Sequence, residues 1–334
     1  MRKIEGGAIP DRAVAVPDGI LVGEYTDRAN RTGVSVIYFS ERAVAGMYKY
    51  GGATSTRQTD SLEASHAVSG IDAIVLAGGS AFGLDAGCGA MRWLREHDRG
   101  IDLKGIKVPI VPCAAIFDLR FSTGKVPDCD AGYRAFGALS GEVREGSLGA
   151  GTGATVGKIN GMDSAMKAGI GTTSCVLPGG VSVWAYVVVN AFGDVMASHG
   201  GVMAGARKER SSKEFLDTAQ FIRGGATGGD APAVTENTTL CVVVTDARFD
   251  KSSLTAIARM ASAGIARSLS PAGTSFDGDV VFAVSTGHQS SPLDVVGDAA
   301  ARLVEEAIRR AVLYADGLGI VPSYRDLGKT KDRE

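Results

Sequence analysis

A loose run rich in glycine and alanine, Arg223-Gly224-Gly225-Ala226-Thr227-Gly228-Gly229-Asp230-Ala231-Pro232, gives way through Glu236-Asn237-Thr238-Thr239 to the compact apolar stretch Leu240-Cys241-Val242-Val243-Val244. A short, continuous apolar run bounded by turn residues reads as a strand buried on both faces. Such a strand has to be covered on each side, which demands a layered fold. It also places a threonine where a flexible segment becomes rigid scaffold. Asn and Thr are ordinary strand-entry residues, and on this stretch alone a plain strand start is the favoured reading of Thr238. If the Asn237–Thr238 bond were cut, Thr238 would carry a hydroxyl nucleophile and, in its own α-amine, a base. An α-amine has a pKa of roughly 7.7–8.0, so part of it is neutral near pH 7 without help from a histidine.

The 334 residues are 45% hydrophobic and 22% charged, enough for a well-formed core. Net charge is −2 and no basic run occurs, so neither nucleic acid nor an anionic membrane is indicated as a partner. The longest apolar runs, such as Val181 to Val189, are too short to span a bilayer, and the N-terminus shows no signal-peptide core. Cys88, Cys113, Cys129, Cys175 and Cys241 are scattered without a CxxC pair. They read as free thiols, and the expected location is the cytoplasm. His66, His97, His199 and His288 lack metal-ligand spacing, so no metal or cofactor is expected.

Gly19–Glu24, Gly33–Phe39 and Ala43–Tyr50 read as antiparallel strands joined by short polar turns. Ile71–Leu76 reads as a strand, followed by the turn Gly78-Gly79-Ser80 and a helix to about Glu96. Free N–H groups behind that glycine pair can face an oxygen-rich ligand or simply pack. Val108–Val111 reads as a buried strand and Asp130–Leu139 as a short helix. Ile170–Val176, Val181–Asn190 and Asp194–Ala197 suggest a meander. Asp250–Leu269 is amphipathic, with a cap at Asp250 or Ser252. A last helix opens at Ser291-Pro292 with Val295, Leu303, Ile308 and Val312 inward, and the tail 328–334 is expected to fray. The segment 223–237 reads as a processing loop within one domain spanning 1–334.

Three familiar motifs fail. Gly78-Gly79-Ser80-Ala81-Phe82 lacks the last glycine of a nucleophile elbow. Gly157-Lys158 lacks the first glycine and the Ser/Thr of a phosphate loop. Gly149-Ala150-Gly151-Thr152-Gly153-Ala154 has no acid at the distance a ribose requires. What remains are groups suited to work around Thr238. Lys158 can steady negative charge, or be a solvated loop lysine. Asn190, at the end of an apolar strand, can donate to an oxyanion, or be a turn residue. Asp277-Gly278-Asp279 can orient the ammonium or hydroxyl of Thr238, or be a plain turn.

Taken together, five separated blocks resemble the DmpA-type peptidases, which include L-aminopeptidase/D-esterases, β-peptidyl aminopeptidases and nylon-oligomer hydrolases. The blocks are Asn237-Thr238-Thr239, Asp277 to Ala283, Leu76 to Leu84, Val111-Pro112 with Ile116-Phe117-Asp118-Leu119, and Tyr324-Arg325-Asp326. The resemblance runs from about Gly19 to Asp326. The resemblance implies an N-terminal-nucleophile hydrolase built as a four-layer α/β/β/α sandwich. It implies self-cleavage between Asn237 and Thr238 into chains 1–237 and 238–334, assembled as a homotetramer of αβ units. Thr238 would be the nucleophile, Lys158 and Asn190 would surround it and the oxyanion, and Asp277 and Asp279 would be the acidic pair. Phe117, Gly78, Gly79 and Ser80 would line the pocket. Aminopeptidase members tend to carry Glu-Thr-Tyr where this chain has Ala115-Ile116-Phe117, so neither an acid for a substrate ammonium nor a tyrosine hydroxyl is available there. That leans toward the nylon-oligomer subgroup: a small peptide, amide or ester substrate and no cofactor. The alternatives are a strict aminopeptidase, an acyltransferase of the ornithine acetyltransferase type, and an unprocessed binding protein.

Overall fold

The computed structural model describes residues 13–225 and 237–328. Residues 226–236, most of the expected processing loop 223–237, and the tail beyond 328, with the fraying expected of it, lie outside the described residues. One strand dominates the architecture. β2 (Thr32–Lys49) is a single 18-residue strand that belongs to two sheets. Its first half pairs antiparallel with β1 (Ile20–Asp27) on one side and with β3 (Ile71–Ala77) on the other. β3 continues in parallel to β4 (Cys113–Ala115). The second half of β2 pairs with β8 (Val280–Gln289), which runs parallel to β7 (Thr238–Ala247). β7 is antiparallel to β6 (Ser182–Asn190), and β6 to the edge strand β5 (Ile170–Val176).

The two strands expected at Gly33–Phe39 and Ala43–Tyr50 are therefore one. The polar Ser40-Glu41-Arg42 marks no reversal. It is where the register shifts between Tyr38 and Ala43 and the strand passes from one sheet to the next. Such an irregularity bends a strand without ending it.

Alternation of side chains along the strands builds three cores. Ile37, Phe39, Ile74 and Leu76 of the first sheet meet Trp184, Tyr186, Val188, Leu240, Val242 and Phe282 of the second, sheet against sheet. The opposite face of the first sheet (Val34, Val36, Ala73, Val75) packs on α1 (Ala86–Glu96) and α2 (Cys129–Phe136) through Ala86, Ala90, Leu94, Ala135 and Phe136. The opposite face of the second (Val187, Val189, Cys241, Val243, Val281) packs on α3 (Lys251–Ser268) and α4 (Leu293–Leu313). Three cores separate four layers, α/β/β/α. That is why Leu240–Val244 is apolar at every position: odd and even residues face different cores.

Smaller departures have local causes. The strand expected at Val108–Val111 is displaced, with a hairpin at Ile101–Leu103 and Ile106–Val108 and the sheet strand starting only at Cys113. Pro109 and Pro112 lack the N–H that a ladder needs. Asp194–Met196 does not continue the meander; it pairs with Val202–Ala204 and Leu269–Ser270 in a separate small sheet. Asp250 is the cap of α3, accepting from the Ser253 N–H at 2.8 Å. On α4 the buried residue is Val296, while Val295 is 43% exposed. Among the described residues no helix is long and apolar enough to cross a membrane.

Candidate active site

Strand register assembles the site. The last residue of β6, Asn190, lies opposite the first residue of β7, Thr238. Because β7 and β8 are parallel, the loop before β8 lies beside the residues before β7, and Asn237 forms a bridge with Asp277. Three segments far apart in sequence thus end at one place. Asn190, Asn237, Thr238, Asp277 and Asp279 are all buried there, with Thr238 only 4% exposed.

The Asn237 carbonyl oxygen is held from two directions. The Thr238 hydroxyl donates to it at 2.6 Å, and the Gly278 N–H donates to it at 2.6 Å. A backbone donor and a hydroxyl on one buried carbonyl polarise its C=O bond, as an oxyanion hole does. Gly278 is required by space. A Cβ there would lie 2.8 Å from Thr238 Oγ1 and 2.7 Å from the Ala53 carbonyl.

Asn190 is held at both ends of its amide. Its Oδ1 accepts from Lys158 Nζ at 2.8 Å and from the Thr155 N–H at 3.1 Å, while its Nδ2 donates to the Phe117 carbonyl at 2.9 Å. Lys158 Nζ also reaches the Asn190 backbone carbonyl at 2.9 Å. Lys158 is buried, not a solvated loop lysine. Its ammonium concentrates positive charge on the residue facing Thr238. Phe117, Thr155, Lys158 and Met162 adjoin a cavity of about 10 Å³.

Among the described residues the acids reach Thr238 through its neighbours. Asp279 Oδ1 accepts from the Thr239 N–H at 2.6 Å, one residue past the expected contact. Asp277 Oδ2 accepts from the Thr274 N–H and hydroxyl, at 2.9 and 2.8 Å. Burial raises both carboxyls above their usual range, and the charge of Asp277 adds to the rise at Asp279. Two close, buried carboxyls hold a shared proton more readily than two charges.

Gly78, Gly79 and Ser80 lie against the segment on either side of Phe117. Their N–H groups donate to the Gly33 carbonyl, Asp118 Oδ1 and the Ile116 carbonyl. They fasten the segment that carries Phe117. Sequence reading passed over two groups of consequence, the Gly278 N–H and the Thr155 N–H. The glycine between two acids was the one available signal for the first, and the second left none. Among the described residues no cluster of His, Cys, Asp and Glu is arranged to hold a metal ion.

Comparison with known proteins agrees with this architecture. The profile of peptidase family S58 matches residues 15–321. An uncharacterized aminopeptidase of Mycobacterium leprae is 35% identical, over 95% of this chain and 94% of its own length. A 6-aminohexanoate-oligomer endohydrolase of Kocuria sp. is 29% identical, over 89% of this chain and 84% of its own. A β-aminopeptidase of Burkholderia sp. superposes with a TM-score of 0.69 at 21% identity, covering 96% of this chain and 94% of that one. The L-aminopeptidase D-Ala-esterase/amidase of Ochrobactrum anthropi, described as a variant of the Ntn hydrolase fold, gives 0.66 at 21%, covering 92% and 89%. The chain belongs to peptidase family S58 and is a hydrolase of peptide and amide bonds.

Proposed function

We propose that the protein activates itself by cleaving the Asn237–Thr238 bond and then hydrolyses small peptides, amides or esters with Thr238 as its N-terminal nucleophile. One observation carries the reading. The Thr238 hydroxyl lies 2.6 Å from the carbonyl oxygen of the bond to be cut, and the Gly278 N–H holds the same oxygen from another side.

In the first stage the Thr238 oxygen adds to the Asn237 carbonyl carbon. The C–N bond breaks, the proton of the hydroxyl ends on the leaving α-amine, and an ester joins the two residues. Water hydrolyses that ester, leaving chains 1–237 and 238–334. In the second stage the freed amine takes the hydroxyl proton as Thr238 attacks a substrate carbonyl. The amine then returns the proton to the leaving group, and water releases the acyl product. Lys158, acting on Asn190, favours negative charge next to Thr238, and Asp277 and Asp279 fix the start of β7 through Thr239 and the loop before β8. Phe117 borders the acyl pocket, with Gly78, Gly79 and Ser80 supporting it from behind.

The substrate leans toward linear oligoamides of the 6-aminohexanoate kind, since Ala115 and Phe117 offer no carboxylate to an amino terminus. A strict aminopeptidase is the second reading, favoured by the higher identity to the mycobacterial relative. Within this reading the chain is one hydrolase domain of the cytoplasm, consistent with its free cysteines, and assembles as a homotetramer of αβ units. Thr238→Ala tests the whole: a single uncut chain without hydrolytic activity is expected, and a variant that still cuts or still hydrolyses amides overturns the assignment. Blocking the amine of a substrate separates the two substrate readings, because only the aminopeptidase loses activity.

A further inference from the structure

Nine residues beyond Lys158, a second lysine is buried completely. Lys167 is among the largest fully buried side chains of the protein, in the company of Trp184, Tyr186 and Phe136. Its Nζ donates to three backbone carbonyls, those of Gly151 at 3.1 Å, Ala154 at 2.8 Å and Ala168 at 2.5 Å. An ammonium has three N–H donors, so these three carbonyls use all of them. A lysine is seldom sealed in this way, because its charge loses water. Burial lowers its pKa to about 7, with Asp118 opposing the change, and the three carbonyl acceptors around Nζ favour the charged, three-donor form.

One of the three carbonyls leads to the active site. Ala154 C=O and Thr155 N–H belong to the same peptide unit. The carbonyl side receives Lys167, and the N–H side donates to Asn190 Oδ1 at 3.1 Å. We infer that Lys167 is a positioning residue for the reaction, acting through the Ala154–Thr155 peptide to hold the Asn190 amide with its oxygen toward Lys158 and its nitrogen toward Phe117. Two physical effects follow from the contact. A cation on the carbonyl polarises the peptide and makes its N–H a stronger donor. Gathering the carbonyls of Gly151, Ala154 and Ala168 on one nitrogen also fixes the loop that delivers both Thr155 and Lys158. A flipped Asn190 amide would set its NH₂ against an N–H and an ammonium, which the arrangement forbids. The inference rests on the reading of Asn190 as part of the environment of the nucleophile.

The test uses the full chain and an aminoacyl p-nitroanilide or a linear 6-aminohexanoate oligomer that the parent protein turns over. Lys167→Met should lower kcat about 10-fold or more with KM within about twofold, and Lys167→Gln, which keeps two donors, should fall between. In an Asn190→Ser background the Lys167→Met change should add less than about twofold, because its effect passes through that amide. A folded Lys167→Met protein with parental kcat overturns the proposal, and so does an undiminished effect in the Asn190→Ser background. Failure of both Lys167 variants to fold also overturns it, in favour of a purely structural lysine. Thr238→Ala, run alongside, keeps the two questions apart. Residual activity there removes the nucleophile reading itself, whereas an inactive Thr238→Ala with an unaffected Lys167→Met removes only the role of Lys167.

Discussion

Gly78 follows the last residue of β3, Gly278 lies two residues before the first residue of β8, and neither position has room for a Cβ. At Gly78 the added atom would lie 2.2 Å from Asp118 Oδ2 and 2.3 Å from Thr32 Oγ1. At Gly278 it would lie 2.7 Å from the Ala53 carbonyl and 2.8 Å from the Thr238 hydroxyl. What separates the two turns is where the local N–H points. Gly79, next to Gly78, donates to the carboxylate of Asp118, a side chain also tied to Thr32. Gly278 donates to the carbonyl of the bond the chain is proposed to cut. The first turn closes a hydrogen-bond cage, and in the proposed cleavage the second supplies a charge-stabilising donor. Close approach of a glycine therefore says that space is short; only the acceptor of its neighbourhood says whether chemistry follows.

The same substitution at the two positions should give different readouts. Gly278→Ala pushes the N–H off the Asn237 carbonyl, and self-cleavage should slow by about 10² while the chain stays folded, measured by intact mass over time. Gly78→Ala should instead destabilise the fold by about 1–3 kcal/mol in chemical denaturation, with the rate of cleavage unchanged in the folded protein. If Gly278→Ala cleaves normally, or Gly78→Ala abolishes cleavage without unfolding, the distinction between the turns fails.

A subtler effect belongs to the cage. Burial raises Asp118 to about 6, against a usual carboxylate value of about 3.9. Between about pH 4 and pH 6 the folded chain keeps a proton that the unfolded chain has released, so stability should decline as pH rises through that window. Asp118→Asn, neutral throughout, should flatten this part of the curve of Tm against pH. A decline that persists unchanged would assign the titration to another group, such as the Asp277–Asp279 pair. The smallest effect is expected at Ser80, whose φ of 55° lies in the left-handed region. Ser80→Gly relieves about 1 kcal/mol of steric strain and loses a comparable amount to chain entropy, so Tm should shift by no more than a degree or two.

Much of the scaffold was legible in the sequence. Leu240–Val244, Ile71–Leu76 and the apolar faces of α1, α3 and α4 follow from periodicity, since those patterns record which face meets a core. The continuity of β2 did not, because Ser40-Glu41-Arg42 has the composition of a turn and only the partner sheets show that it is a crossing point. Register was equally hidden. That Asn190 lies opposite Thr238 depends on pairing across a long separation, and a slip by one residue would turn Asn190 to the other face. Lys167 was invisible for a different reason: nothing in the local pattern distinguishes a lysine sealed among three carbonyls from one in solvent. Residues whose proposed role comes from their own chemistry, Thr238 and Lys158, could be named from the chain and the family resemblance. Those whose role comes from a backbone N–H, Gly278 and Thr155, needed the fold.

N-terminal sequencing of the purified protein, paired with its intact mass, addresses the central claim most directly. Two fragments corresponding to 1–237 and 238–334, the smaller beginning Thr-Thr-Leu-Cys, are expected. A chain that remains whole after long incubation, or a fragment that begins at any other residue, would contradict the account.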